Sequence, residues 1–224
     1  MSEQNENISR EEVKKEFQLE RMILFSDAVF AIVITLMAIE IRMPEQSEGT
    51  EGIASSSLFS HLFPVILAYA CSFFFIGLIW YEHLKSFSVL KDYDAGLVIR
   101  NLILLFFIGL FPFCATVVST GKGAVIPMIV YLGIIMVCMA AQYILQHYIL
   151  IKRPQLRNNT DIQKHLEELE KKRIGLISFA IIIVLVIISL FFIKDESMKS
   201  IVMLWMLLFT PLMKILKRKK TLTI

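Results

Sequence analysis

Charged side chains are scarce in this 224-residue chain: they make up 19% of it, whereas hydrophobic residues make up 56%. The mean hydropathy is +0.67. A soluble domain covers its apolar core with a largely polar and charged surface, and this composition leaves too few charges to build one. The low charge therefore excludes a soluble domain and directs attention to long apolar runs.

Cysteine is also rare. The chain has three, Cys71, Cys114 and Cys138, and all of them fall within apolar runs. No pair has the spacing of metal ligands, and none lies in a loop that faces an oxidising compartment. We therefore expect small packing residues rather than disulfides or a zinc site.

Sequence motifs of enzymes are missing as well. The chain has no His-Glu-x-x-His zinc site, no Gly-x-Ser-x-Gly elbow, no phosphate-binding glycine loop and no pair of aspartates on one buried helix. We therefore expect no enzymatic activity, no cofactor and no tightly bound metal. The Thr-Val-Gly-Tyr-Gly segment, whose carbonyl oxygens select potassium in many channels, is absent too.

Six apolar runs of about 20 residues are present, and each is long enough to cross a bilayer as a helix. They cover residues 22–43, 58–81, 97–120, 124–151, 174–193 and 198–216. Strands of a membrane barrel would be about half as long and would alternate between apolar and polar residues. The sequence therefore predicts an all-α integral membrane protein with six transmembrane helices, and Pro112 predicts a kink in the third.

Basic residues are distributed unevenly around these runs. If the N-terminus is cytoplasmic, 19 of the 23 lysine and arginine residues lie on the cytoplasmic side, as expected for membrane proteins. We therefore expect both termini to be cytoplasmic, with a cytoplasmic segment at 1–20, a six-helix membrane domain at 21–217 and a basic tail at 218–224. Basic residues on the cytoplasmic side would contact the membrane lipids. The net charge of +3 therefore does not require a nucleic-acid partner.

The first run carries ionisable residues, Arg21 and Asp27, at one end. Charges near hydrocarbon are costly and usually have a function. At about 100° per residue, the same helix has an aliphatic stripe with a single hydroxyl, formed by Phe25, Ala28, Ile32, Thr35 and Ile39. Such a stripe is typical of ordinary helix packing or of a pore wall with a hydrophobic constriction, and periodicity alone leaves both open.

Asp27 lies about 140° around this helix from Ile32 and shares its face with Ala31, Ile34 and Ala38. Small residues on that face would let a neighbouring helix approach closely. Structural pairing and the handling of ions or protons are both open for the carboxylate. The candidate partners expected at the same membrane level are Arg21, Trp80, His83 and Asn101.

Several short motifs carry a family resemblance. The first helix reads Arg21-x-x-x-Phe25-Ser26-Asp27, continues as Ala-Ile-x-Ile-Thr-Leu-Met and ends in Glu40-Ile41. The second helix closes with Trp80-x-x-His83. The third contains Asn101 and, further along, Leu110-Phe111-Pro112-Phe113. These motifs resemble the transmembrane protein 175 family of lysosomal potassium channels and their prokaryotic relatives, and the single six-helix unit resembles the prokaryotic form.

The resemblance implies a homotetramer in which the first helix of each subunit lines a central pore. Ile32, Thr35 and Ile39 would then face the pore and the permeating potassium, with Ile32 as the narrowest ring and Leu36 sharing the constriction. The hydroxyl of Thr35 would favour potassium over sodium. The remaining residues implied by the resemblance would form a structural and gating network that holds the first helix: Arg21, Phe25, Ser26, Asp27, Trp80, His83 and Asn101.

The function expected on this basis is that of a potassium-permeable cation channel in the cell membrane of a prokaryote. A small proton- or cation-coupled secondary transporter that uses Asp27 and His83 is the alternative. Transporters place polar residues and broken helices near the middle of the membrane. Here the charges cluster at one end of the first helix, and Thr35 is the polar group at its middle, which disfavours transport.

Overall fold

The computed structural model describes residues 2–39, 55–120, 125–158, 162–192, 209 and 211–214. Within these residues the chain is helical, apart from short connections and one isolated bridge between Leu90 and Arg157. The all-helical prediction is confirmed for the part of the chain that is described.

Six α-helices follow one another along the described residues. They are α1 (Ser2–Ile39), α2 (Ser55–Phe87), α3 (Ala95–Gly109), α4 (Phe111–Thr120), α5 (Val125–His147) and α6 (Ile162–Phe192). A π-helical turn, Tyr148–Lys152, and a 3₁₀ turn, Pro154–Leu156, continue from α5. Helix α1 runs without a break from the polar lead-in into the first predicted span.

Four helical stretches are long and apolar enough to cross a membrane: Val13–Ile39, Ala95–Val117, Ile126–Lys152 and Ile162–Leu190. They coincide with the first, third, fourth and fifth predicted spans, and the second predicted span lies within α2. The sixth falls outside the described residues except for 209 and 211–214, which are helical. The chain is therefore a multi-pass membrane protein, while six spans and cytoplasmic termini stay predictions.

The third predicted span is broken where proline requires it. Helix α3 ends at Gly109, Leu110 forms a turn, and α4 begins at Phe111. Pro112 has no backbone N–H to donate to the preceding turn and is tolerated in the first turn of a new helix. The predicted kink is present, and it lets α4 contact α1, α2 and α5.

Helix α5 lies at the centre of the bundle, where it contacts α2, α3, α4 and α6, while α1 packs on α2, α3 and α4. The C-terminus of α2, the N-terminus of α3, the C-terminus of α5 and the N-terminal half of α6 carry the ion pairs described below. We call this the charged end of the bundle. It is the end at which the candidate site lies.

The three cysteines form no disulfide: Cys71 is exposed, and Cys114 and Cys138 are buried. Cys138 is fully buried within the apolar core. The prediction of unpaired cysteines is confirmed. Among the described residues, no group of three or more histidine, cysteine, aspartate or glutamate side chains is arranged to hold a metal ion.

Candidate functional site

Helix α1 packs against its own subunit through one narrow face. Ser26, Phe30, Val33 and Met37 recur at helical spacing and are between 0% and 4% exposed. This face is rotated from the one that the sequence favoured, because Ala31 and Ala38 are exposed and Ile34 is only partly buried. The helix is therefore seated by large apolar side chains and one serine rather than by a row of small residues.

A chain of three hydrogen bonds fixes this face to α2 and α3. The Ser26 hydroxyl donates to the Met22 carbonyl oxygen at 2.9 Å, and the Asn101 amide nitrogen donates to Ser26 Oγ at 2.8 Å. The Asn101 amide oxygen lies 2.9 Å from His83 Nε2. We call this the Ser26–Asn101–His83 chain; all three side chains are buried, at 0%, 1% and 0% exposure.

The hydrogen positions along this chain follow from its chemistry. Since the Ser26 hydroxyl hydrogen is used by Met22, Ser26 can offer Asn101 only a lone pair, so Asn101 must present its NH₂ group to it. The amide oxygen of Asn101 then faces His83 and can only accept. Nε2 of His83 therefore carries a hydrogen, and one tautomer of the neutral ring satisfies the contact.

Aromatic rings hold the His83 side chain from both sides. Its ring stacks on Phe87, with centroids 4.1 Å apart and an interplanar angle of 22°, and lies 5.5 Å from the ring of Phe30. A buried polar group that is both hydrogen-bonded and tightly packed has little freedom to rotate. His83, the member of the Ser26–Asn101–His83 chain on α2, is therefore held in place. Because Asn101 bonds to both His83 and Ser26, the contact with α1 is held in place as well.

A second, more exposed contact joins the same two helices. The indole Nε1 of Trp80 donates to Asp27 Oδ1 at 2.9 Å. Because the acceptor is a carboxylate, this hydrogen bond is stronger than one between neutral groups. Asp27 and His83 thus belong to separate contacts, one at the edge of the helix pair and one in its interior.

Five of the seven residues expected to hold α1 take part in these two contacts: Ser26, Asn101 and His83 in one, and Asp27 and Trp80 in the other. Arg21 is exposed, with its guanidinium 6.0 Å from the centroid of the Phe17 ring. Phe25 is 52% exposed. Both lie outside the hydrogen-bonded group.

The expected pore stripe lies on the opposite side of α1. Ile32 is 56% exposed, Leu36 43% and Ile39 74%, and Thr35 is exposed beside them. The stripe is centred roughly 150° around the helix from the buried face. The Thr35 hydroxyl donates to the Ile32 carbonyl oxygen at 2.8 Å, so its oxygen lone pairs point away from the helix axis and stay available as acceptors.

Two contacts at the charged end were not expected from the sequence. Asp94 caps α3 by accepting from the Leu97 N–H at 2.7 Å, and its other carboxylate oxygen accepts from the Tyr148 hydroxyl at 2.7 Å. In the second contact, Lys172 lies 3.0 Å from Glu82. The aspartate before Ala-Gly is a recognisable N-cap signal, whereas no sequence spacing relates Glu82 to Lys172.

Comparison with known proteins supports the resemblance that the motifs suggested. Residues 21–112 match the model of the family described as the endosomal/lysosomal potassium channel TMEM175. A protein of Chryseobacterium sp. named as a potassium channel is 32% identical over 132 residues, which cover 59% of this chain and 65% of that protein. Human TMEM175, named as an endosomal/lysosomal proton channel, is 33% identical over 98 residues, which cover 42% of this chain and 19% of that protein.

Solved structures match over a larger part of the chain. The crystal structure of a lysosomal potassium-selective channel TMEM175 homolog from Chamaesiphon minutus has a TM-score of 0.65 at 21% identity, and the match covers 88% of this chain and 97% of that one. A variant of the potassium channel MtTMEM175, solved with a nanobody fusion, gives 0.62 at 17% identity, over 90% and 93% of the two chains. At such identities the likeness shows a shared fold.

The matched family and relatives are ion channels rather than enzymes, which agrees with the prediction of no enzymatic activity. The chain spans 65% of the length of the Chryseobacterium protein and a smaller part of the animal ones. The matching residues include all the members of the Ser26–Asn101–His83 chain and the whole α1 stripe. The TMEM175 family model thus matches residues 21–112 of this chain, and the solved structures show that the chain shares its fold with TMEM175 channels.

Proposed function

We propose that this chain is the subunit of a potassium-permeable cation channel in which four copies surround a central pore lined by α1. The observation that carries the proposal is the two-sided character of α1. One face is buried and hydrogen-bonded to α2 and α3, whereas the opposite face leaves Ile32, Leu36 and Ile39 uncovered. Four copies placed around an axis with this face inward bring the rows together as a ring, and a ring of such rows lines a pore.

In this arrangement, Ile32 forms the narrowest ring. A ring of aliphatic side chains resists wetting and passes ions only when it is wide enough to hold water. Thr35, one turn further along, presents hydroxyl oxygens whose hydrogens are committed to the helix backbone. Lone pairs of this kind suit a cation and offer nothing to an anion. Selection of potassium therefore depends on this ring and needs no carbonyl filter.

The buried face of α1 has a defined task in such a channel. A pore lined by one helix per subunit changes its radius and lining when that helix rotates about its axis. The Ser26–Asn101–His83 chain and the Trp80–Asp27 bond restrain this rotation from the opposite side. We therefore assign these residues to positioning of the pore helix and not to contact with the ion.

The remaining features of the proposal follow from charge and hydropathy. Termini on the cytoplasmic side keep the basic segments, including the tail at 218–224, next to anionic lipids. The membrane domain spans 21–217, and the membrane is the cell membrane of a prokaryote. No cofactor is required, because potassium near Ile32 and Thr35 is the permeating species and not a bound metal.

The constriction is tested by Ile32→Ala in purified protein reconstituted into planar bilayers. Removing three carbons from each ring member widens the pore, so single-channel conductance should rise severalfold and preference for potassium over sodium should fall. Ile99→Ala is the matched control, since Ile99 on α3 is 57% exposed, close to the 56% of Ile32. The control should behave like the wild type. Unchanged permeation in Ile32→Ala would remove Ile32 from the pore.

A further inference from the structure

A large cavity lies away from the exposed stripe of α1. It measures about 780 Å³ and is lined by residues of α2, α5 and α6 together with Phe209 and Met213. That volume lies within the range of roughly 300–1,000 Å³ found for small-molecule sites. The described lining contains no residue of α1, so the cavity is distinct from the proposed pore.

The lining changes in character from one end to the other. Apolar side chains such as Leu78, Met139 and Ile182 form one part of the wall, and Glu82 and Lys172 stand at the charged end. An apolar chamber that opens among charged groups matches the form of an amphiphile, with hydrocarbon inside and a polar head at the mouth.

The charges at the mouth do not balance. Three lysines, Lys85, Lys171 and Lys172, and two glutamates, Glu82 and Glu168, line it, which leaves one net positive charge. Glu82 lies 3.1 Å from Lys85 and 3.0 Å from Lys172. Lys171 is exposed. Basic pockets between membrane helices favour anionic lipid headgroups.

A buried amide between these two regions points independently to a ligand. Gln142 lines the cavity and is 4% exposed, and neither its nitrogen nor its oxygen has a hydrogen-bond partner. Buried polar groups are nearly always paired, so an unpaired amide beside a cavity needs an explanation. Gln142 lies on α5, about 7.5 Å along the helix axis from His147, the last residue of that helix at the charged end.

We propose that this cavity binds one anionic phospholipid per subunit, taken from the membrane leaflet at the charged end. An acyl chain fills the apolar part, the headgroup phosphate meets the lysines at the mouth, and an ester carbonyl accepts a hydrogen bond from Gln142. The proposal requires only that the chain lies in a bilayer, so it stands or falls separately from the pore.

Native mass spectrometry of the delipidated full-length protein tests it, with phosphatidylglycerol and phosphatidylcholine of identical acyl chains as the probes. The wild type should bind one phosphatidylglycerol per subunit. Its affinity should be roughly fivefold higher than for phosphatidylcholine, because the mouth of the cavity carries one net positive charge. Gln142→Leu should weaken both lipids by roughly fivefold, the contribution of one hydrogen bond. Lys171→Gln should bring the two lipids towards equal affinity without loss of phosphatidylcholine.

Gln146→Leu is the matched control. Gln146 lies one turn further along α5, is 1% exposed and has an amide oxygen without a partner, yet it does not line the cavity. Its substitution should leave both affinities unchanged. Equal binding by Gln142→Leu and wild type, or no bound phospholipid in the wild type, would overturn the proposal. A disulfide between subunits of a Met139→Cys protein would place a second copy in the cavity and would overturn it too.

Discussion

Asn101 is the residue at which three helices meet. It lies on α3, donates to Ser26 on α1 and accepts from His83 on α2. Each partner uses a different atom of the amide, so a side chain that lacks either the donor or the acceptor cannot replace it. A hydrophobic residue would leave both Ser26 and His83 without this hydrogen bond in a buried site that water does not reach.

Asn101→Leu should therefore lower stability by about 1–2 kcal/mol, since one buried hydroxyl and one imidazole lose their partner. The measurement is the thermal unfolding midpoint of the detergent-solubilised protein. Ser178→Ala is the control, because Ser178 is also fully buried but donates only to the Ile174 carbonyl of its own helix. Equal unfolding midpoints for Asn101→Leu and the wild type would show that the Ser26–Asn101–His83 chain does not hold the helices together.

Thr35 gives a second prediction at this scale. Thr35→Val keeps the shape of the side chain and removes the hydroxyl, so the ratio of potassium to sodium permeability should fall severalfold. Helix α1 should stay intact, because the lost bond is local, from Thr35 Oγ1 to the Ile32 carbonyl. Thr35→Ser retains the hydroxyl and should retain the selectivity. Reversal potentials measure both, and an unaltered ratio in Thr35→Val would exclude the hydroxyl ring.

The polar residues of the site could be predicted, but their pairing could not. The sequence names Trp80, His83 and Asn101 as candidate partners for Asp27, because polar groups in apolar helices must find one another. Of these three, Trp80 bonds to Asp27, whereas Asn101 bonds to Ser26 and His83. Arg21 was foreseen too, and it lies instead over Phe17. Which donor reaches Asp27 depends on the axial register and rotation of two helices, and neither is encoded by spacing along one chain.

At the scale of elements, the same ambiguity concerns which side of α1 is buried. Periodicity located the aliphatic stripe and the break before Pro112, because both depend on one helix alone. It favoured Ala31 and Ala38 for packing, whereas Phe30, Val33 and Met37 are buried. In the membrane part of α1, residues 22–39, apolar side chains lie on every face. Hydrophobicity therefore does not indicate which face is buried, and the neighbouring helices determine it.

The start of α3 depends on a close approach that only glycine permits. A Cβ added to Gly96 would overlap the Tyr148 hydroxyl and lie 2.8 Å from Tyr148 Cζ. That hydroxyl is bonded to Asp94, the residue that caps α3. The π-helical turn after α5 is thereby joined to the first turn of α3.

Gly96→Ala should therefore destabilise the protein by about 1–3 kcal/mol through overpacking, although alanine is the better helix former. Gly133→Ala is the comparison, because a Cβ at Gly133 on α5 meets nothing within 4 Å. It should raise stability by up to about 1 kcal/mol. Thermal midpoints that move in the same direction in both variants would contradict the close contact between Gly96 and Tyr148.

At the scale of the whole molecule, hydropathy predicted a helical membrane protein correctly, because the cost of burying backbone in lipid dominates every other term. The arrangement of helices around α5 was not predictable, since nothing in the runs themselves indicates which neighbours they choose.

The proposed function is passive and selective conduction of potassium. Relatives are named as potassium channels or as proton channels. The most direct measurement is the reversal potential of purified protein in planar bilayers, with potassium on one side, sodium on the other and equal pH. The account predicts a passive current that reverses towards the potassium equilibrium potential. Folded protein that carries no passive current but takes up cations when a proton gradient is imposed would contradict it and identify a transporter.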